Sequence, residues 1–302
     1  MATENAAPVA KNEDSASGFA FALSAYFLWG FLPLYMKAVG HISPTEVIAH
    51  RILWSVPVAG LILLALRRMD DLKLAFRSPR MLGMAAVTAF LISINWGIYV
   101  WAIGAGHALD TALGYFINPL FSVFLGAVLL KEKLKPAQIA ALALVVIAVV
   151  ILTVDAGRLP IVALCLTFSW GLYAFFRKTL PIGPNQGFLL EVLLLAPFAL
   201  CYVIYLAMTG QAHFGTNTSD TVLLAASGLV TAIPLILYAN GAKLLKLSTI
   251  GIMQYIAPTM IFLIAVFIFK EPFGTAKMIA FPLIWAALFI YSWSMLRDYR
   301  AR

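Results

Sequence analysis

Ten stretches of this chain are apolar over lengths close to 20 residues, and no connection between them is longer than about a dozen. They fall at 19–37, 45–66, 81–103, 109–130, 136–154, 159–176, 186–208, 221–241, 249–269 and 274–296. About 20 residues cross the ~30 Å hydrocarbon core of a bilayer as one helix. The runs lack the two-residue alternation of a β-barrel strand, and helices and closed barrels are the two ways of satisfying backbone groups in lipid. The pattern therefore predicts an all-α integral membrane protein with ten transmembrane helices. Composition agrees: charged residues make up 11% of the chain, whereas a soluble domain carries about 25%. A soluble enzyme, a disordered chain and a secreted disulfide scaffold are all excluded. No connection has room for a soluble catalytic or nucleotide-binding domain.

The net charge of +8 raises the question of nucleic acid. The basic residues sit in short clusters between apolar runs, with no basic stripe and no groove-reading motif, so nucleic acid is not an expected partner. Their placement instead orients the chain. Of 21 Lys and Arg, Arg51 lies inside a span; Lys37, Arg158, Lys270 and Lys277 fall on one side, and the other sixteen on the opposite side. The positive-inside rule then puts both termini in the cytoplasm, with residence in a bacterial inner membrane. Residues 1–17 read as a polar cytoplasmic leader, because the first apolar run is too long for the core of a signal peptide. Cys165 and Cys201 lie within apolar runs without metal-ligand spacing and read as small hydrophobes. Neither metal nor cofactor is expected.

Comparison of the chain with itself is the next constraint. Pro119 and Glu132 of span 4 recur as Pro258 and Glu271 of span 9, an offset of 139, and Tyr99 and Tyr238 keep it. Spans 2 and 7 match at 140, pairing Pro44 with Pro184, Arg51 with Glu191 and Pro57 with Pro197. Spans 1 and 6 match at 141, through Trp29-Gly30 with Trp170-Gly171 and Lys37 with Lys178. The repeat holds five spans, an odd number, so the second copy must enter the membrane upside down. This divides the chain into the leader (1–17), a first repeat (18–158), a second repeat (159–296) and a basic cytoplasmic tail (297–302). Inverted repeats place a binding site near the midplane of a transporter.

Five segments carry a family resemblance: Tyr26-Phe-Leu-Trp-Gly-Phe-Leu-Pro-Leu-Tyr35, Glu46-Val-Ile-Ala-His-Arg-Ile-Leu-Trp-Ser55, Leu113-Gly-Tyr-Phe-Ile-Asn-Pro-Leu120, Gly171-Leu-Tyr-Ala-Phe-Phe-Arg-Lys178 and Gln254-Tyr-Ile-Ala-Pro-Thr259. With them the chain resembles the EamA branch of the drug/metabolite transporter superfamily, from about residue 18 to 296. The resemblance implies ten helices in two EamA repeats, a central cavity, inner-membrane residence and, by analogy alone, export.

Polar residues within the spans are the candidate site. An Arg at a helix centre costs about 2.5–3.5 kcal/mol on insertion scales, so Arg51 needs partners. It lies about six residues into span 2 from the outer surface, roughly 9 Å deep at ~1.5 Å per residue. Glu191 lies at a similar depth from the inner surface. The two are then about 12 Å apart along the membrane normal, which disfavours a direct salt bridge. The same arithmetic predicts an outer cluster of Arg51 with Tyr115, Asn118 or Asp110, and an inner cluster of Glu191 with Gln254 and Tyr255. Asn95 and Trp96 of span 3 are counted with this substrate-binding or gating site. Trp29, Trp96, Trp101, Trp170 and Tyr99 read either as cavity walls or as an interfacial belt. Arg51 itself reads either as a staple between spans 2 and 4 or as a cavity-lining group. Glu46 and His50, one helical turn apart, can pair and sense pH near the outer interface. Pro119 and Pro258 are read as hinges.

The function expected is a secondary-active transporter, an exporter of small metabolites or drugs working by alternating access through a central cavity. Its partners are a small-molecule substrate and the lipid bilayer, and a homodimer is compatible with the pattern. A non-transporting membrane scaffold or sensor shares the topology. A membrane-embedded enzyme on a lipid-linked substrate fits less well, since no HExxH, GxSxG or CxxC is present. An ATP-driven pump lacks its phosphate-binding GxxxxGK[ST] loop.

Overall fold

A computed structural model describes residues 15–66, 70–129, 134–179, 181–245 and 253–300. Most of the leader, the basic turn holding Glu132, Lys246 and the last two residues of the tail lie outside the described residues. The rest is helical, with no strand among the described residues. The elements are α1 (Ala16–Ala38), α2 (Pro44–Ala65), α3 (Asp70–Phe76), α4 (Pro79–Gly104), α5 (Ala108–Leu129), α6 (Pro136–Ala156), α7 (Ile161–Thr179), α8 (Pro184–Met208), α9 (Thr218–Leu244), α10 (Ile256–Leu263, continued by a π turn Ile264–Ile268) and α11 (Thr275–Arg300).

The helix starts follow from local chemistry. α2, α4, α6 and α8 each open on a proline in the first turn, where its missing N–H has no intrahelical partner to lose. Ser15 and Asn217 cap α1 and α9 by accepting the N–H of Gly18 (3.0 Å) and Asp220 (2.8 Å). At the far end of α6, Gly157 adopts φ 64° and stops the helix in the left-handed region. Eight helices are long and apolar enough to cross a membrane, and Ile161–Arg177 and Ile256–Ile268 are shorter apolar helices. Their outward faces are apolar: Phe198 and Val154 are each 76% exposed, a surface that water would not tolerate and lipid covers. Cys165 and Cys201 are exposed on it.

Two places differ from the expected spans. The connection between the second and third spans contains the short helix α3. In the ninth span, Met253 is helical, Gln254 and Tyr255 form a turn, and α10 begins at Ile256. Pro258 accounts for the break: it has no N–H to give the carbonyl of Gln254, so the helix loses a bond there.

Packing is by pairs across the chain's two halves. α1 packs on α9 and α10, α2 on α8 and α9, α4 on α7 and α8, α5 on α7 and α10, and α6 on α11. Glycines allow the closest approaches. A Cβ on Gly114 of α5 would meet the carbonyl oxygen of Ala163 in α7 at 2.7 Å, and one on Gly228 of α9 would strike the backbone of Trp54 in α2.

Candidate functional site

Between these pairs lies a cavity of about 260 Å³, at the small end of pockets that hold metabolite-sized ligands (~300–1,000 Å³). Seven helices line it, the first six being α1 with Tyr26, Trp29 and Leu32; α2 with Arg51; α4 with Ile92, Asn95, Trp96 and Tyr99; α5 with Tyr115, Asn118 and Ser122; α7 with Trp170, Tyr173 and Ala174; and α9 with Val230, Thr231, Leu235 and Tyr238. Gln254 in the turn before α10, and Ala257, Pro258 and Ile261 within it, complete the wall. Tyr26, Trp29 and Tyr238 form one aromatic arc, with ring centroids 5.5–6.0 Å apart. Tyr99, Tyr115, Trp170 and Tyr173 form a second, at 5.6–6.3 Å. Of the tryptophans that sequence offers as walls, Trp29, Trp96 and Trp170 line the cavity, while Trp101 lies 47% exposed and stacks on His107.

Arg51 is 3% exposed. Its Nε donates to Thr231 Oγ1 (3.0 Å), its guanidinium lies 4.8 Å from the ring centre of Trp96, and its Nη1 has no hydrogen-bond partner. Tyr115 and Asn118 share the cavity with it, but its direct contacts are with α9 and α4, which replaces the expected outer cluster. The reason is in the packing: α2 lies against α9, while α5 stands across the cavity. Asp110 is not in the site; it pairs with His107 (3.1 Å) and approaches Lys277 (3.9 Å) in the first turn of α5. Asn95 is held by donating to Leu166 O (3.2 Å) and Ser169 Oγ (3.0 Å), and Tyr115 donates to its Oδ1 at 3.4 Å.

Glu191, 1% exposed, does not line the cavity. Its carboxylate pairs with Arg177 Nε at 3.2 Å and accepts from Tyr173 OH at 3.2 Å. Gly187, one turn before it, makes room: a Cβ there would collide with the Arg177 guanidinium. The expected partners Gln254 and Tyr255 are elsewhere, Gln254 on the cavity wall and Tyr255 packed against the core with its hydroxyl unpartnered. Depth along the normal gives the height of a side chain but not the side of the helix it leaves from. Arg51 and Glu191 make no pair, as their difference in depth requires.

Glu46 and His50 do not pair either. The Glu46 carboxylate accepts the N–H of His213 (2.7 Å) and bonds its Nδ1 (2.8 Å), in the connection between α8 and α9. That loop offers both a backbone N–H and an imidazole, more than His50 can. His50 instead stacks on Phe214, with centroids 4.8 Å apart, and neither ring nitrogen has a partner. At the same end His41 pairs with Asp220 (2.9 Å), and both oxygens of Glu271 accept from the first N–H groups of α5, Ala108 (2.7 Å) and Leu109 (2.9 Å). A carboxylate suits these unpaired donors at the positive end of a helix. Pro119 lies inside α5, but Pro258 falls in the first turn of α10. Pro258 therefore sits just after the turn at Gln254–Tyr255 rather than inside an unbroken helix.

Sequence reasoning missed Thr231, Arg177, Tyr173 and His213. The one available signal was the repeat, because the cavity is lined largely by repeat mates. Trp29 and Trp170, Leu32 and Tyr173 are related by 141; Ile92 and Thr231, Trp96 and Leu235, Tyr99 and Tyr238, Tyr115 and Gln254, Asn118 and Ala257, Ser122 and Ile261 are related by 139.

Residues 16–154 match the EamA-like transporter family. The whole chain is similar to Protein RarD of Streptomyces exfoliatus, 40% identical over 292 residues, which is 96% of this chain and 92% of that protein. It is similar to Protein RarD of Escherichia coli strain K12 at 38% identity, covering 92% and 95%. An uncharacterized transporter of Vibrio cholerae is 41% identical over 93% of each chain. A solved crystal structure shares the fold with a TM-score of 0.60 at 20% identity, covering 91% of this chain and 96% of that one.

Proposed function

The chain belongs to the EamA-like transporter family and is a multi-pass membrane transporter of the drug/metabolite kind, and from that premise we propose that it is a secondary carrier whose substrate binds in the Arg51 cavity. One observation carries the reading: eight pairs of residues related by an offset of 139 or 141 line the cavity together. A site built from the same positions of two halves lies on the axis that relates them, and rocking one half against the other then exposes it alternately to each side. The cross-half packing, α1 on α9 matched by α7 on α4, supports this arrangement. The proposal includes two inverted repeats, 18–158 and 159–296, in an inner membrane with both termini cytoplasmic, and outward net movement of a small metabolite or drug.

The bonds between His213 and Glu46, between His41 and Asp220, and between Glu271 and the start of α5 each cross from one half to the other. In the carrier they hold one end of the cavity shut and break when that end opens. Pro119 supplies the flexible point in α5, and the turn at Gln254–Tyr255 supplies it beside α10.

Cysteine labelling tests the architecture. In a background lacking Cys165 and Cys201, Lys135→Cys and Gly274→Cys occupy mated positions (offset 139) on opposite sides of the membrane. A membrane-impermeant maleimide should label Gly274→Cys in intact cells and Lys135→Cys only after permeabilisation. Labelling of both from one side would remove the inverted repeat, and with it the rocking mechanism.

A further inference from the structure

We propose that the cavity selects small organic anions with a flat, unsaturated body, the acid group seated on Arg51. This rests on the carrier reading for the cavity's function, but its chemistry stands on four observations. Arg51 is the one charged side chain lining the cavity among the described residues; no Asp or Glu joins it. Its guanidinium is permanently protonated. The groups that hold it, the Thr231 hydroxyl and the Trp96 face, satisfy Nε and one π surface but neutralise nothing. Arg51 lines the cavity, and its Nη1 is buried without a hydrogen-bond partner.

A buried cation without a counterion in a low-dielectric setting is a vacancy for negative charge. A carboxylate, sulfonate or phosphate monoester would supply that charge and accept from the guanidinium in a charge-assisted hydrogen bond. The rest of the wall specifies the body of the ligand. Trp29, Trp96 and Trp170, with tyrosines between them, present ring faces and edges on which a planar group stacks. Asn118 and Tyr99 also line this wall, each with a buried oxygen that lacks a partner, and a small side-chain rotation would let either bond a polar substituent near the acid group. A cationic drug would meet uncompensated repulsion here. The acid that could have welcomed it, Glu191, is turned away and spoken for by Arg177.

The test uses three probes of similar shape: benzenesulfonate, a permanent anion; benzenesulfonamide, its neutral counterpart; and phenyltrimethylammonium, a permanent cation. Binding to the purified full-length chain is read from intrinsic tryptophan fluorescence, since three tryptophans line the cavity. Benzenesulfonate should bind about tenfold or more tightly than either other probe. Arg51→Lys should reduce that preference, and Arg51→Gln should abolish it. Should Arg51→Gln not fold, Thr231→Asp serves instead: it places a carboxylate beside Nε, neutralises the arginine from within, and should abolish the preference with Arg51 present. The proposal is overturned if none of the probes binds, if the neutral or cationic probe binds as tightly as the anion, if the preference survives either variant, or if chloride displaces benzenesulfonate as well as benzenesulfonate displaces itself. Uptake into liposomes examines the carrier reading separately. Anion-selective binding without uptake keeps the anion site and removes the carrier, whereas uptake of the cation without anion preference does the reverse.

Discussion

Arg51 and Glu191 occupy the same place in the two halves, 140 residues apart, in helices that both open on proline. Both are almost wholly buried. Their surroundings differ in one respect that decides what each can do. Glu191 has a full opposite charge at 3.2 Å and a tyrosine hydroxyl as well. Arg51, on the cavity wall, has a hydroxyl and an aromatic face, and one buried nitrogen without a partner. A repeated backbone reproduces positions; it does not reproduce the balance of charge. The neutralised member holds helices together, and the unneutralised member is left for a ligand.

The contrast predicts opposite effects on stability and binding. Arg177→Leu strands the Glu191 carboxylate and should lower stability by about 3–5 kcal/mol, the usual result of removing one partner of a buried pair. This is read as a fall in the thermal melting of the purified protein. Arg51→Met should stay within about 1 kcal/mol of the parent, because the lost contacts are offset by removal of an uncompensated buried charge. It should nevertheless lose benzenesulfonate binding. If Arg51→Met melts as early as Arg177→Leu, Arg51 is a structural staple and the comparison fails. The double change Arg177→Leu with Glu191→Leu should recover most of the loss, to within about 1 kcal/mol of the parent. A double variant no more stable than Arg177→Leu alone would mean that the pair does not act as a unit.

These partners also mark how far the sequence could be read. The spans were legible because bilayer thickness forces long apolar runs, and the ends of the first eight described membrane helices fall within about four residues of expectation. The ninth was not, since an uninterrupted apolar run hides the turn at Gln254–Tyr255. Arg51, Asn95, Trp96, Tyr115, Asn118 and Gln254 all line one cavity, and they were legible because a polar or amphipathic side chain within an apolar span turns away from lipid. Thr231 and Arg177 were missed because azimuth around a helix depends on which neighbour packs there, and depth arithmetic carries no such information. The contacts His213–Glu46 and His41–Asp220 were missed because they depend on how connections fold back over the helix ends.

Thr231→Val should have a moderate effect. It removes the acceptor of Arg51 Nε and leaves a second unpaired donor on the guanidinium, at a cost of about 0.5–1.5 kcal/mol. The guanidinium keeps its charge and its place on the cavity wall, so the preference for benzenesulfonate over benzenesulfonamide should persist. Loss of that preference would show that Thr231 orients the arginine as well as bonding it, and would place the selectivity in the pair.

The smallest effect is expected at Gly187. Its missing side chain gives the Arg177 guanidinium a place beside Glu191, whereas the residue 140 positions earlier, Val47, is fully buried and fills the matching space in α2. A Cβ at Gly187 meets the far end of a long flexible side chain rather than backbone. Gly187→Ala should therefore shift the ion pair and lower stability by only about 1 kcal/mol. Benzenesulfonate affinity should not change, since the pair and the cavity arginine act separately. A parallel fall in affinity would mean that the tightness of the Arg177–Glu191 pair is felt at Arg51, and the two sites would then have to be treated as one coupled element.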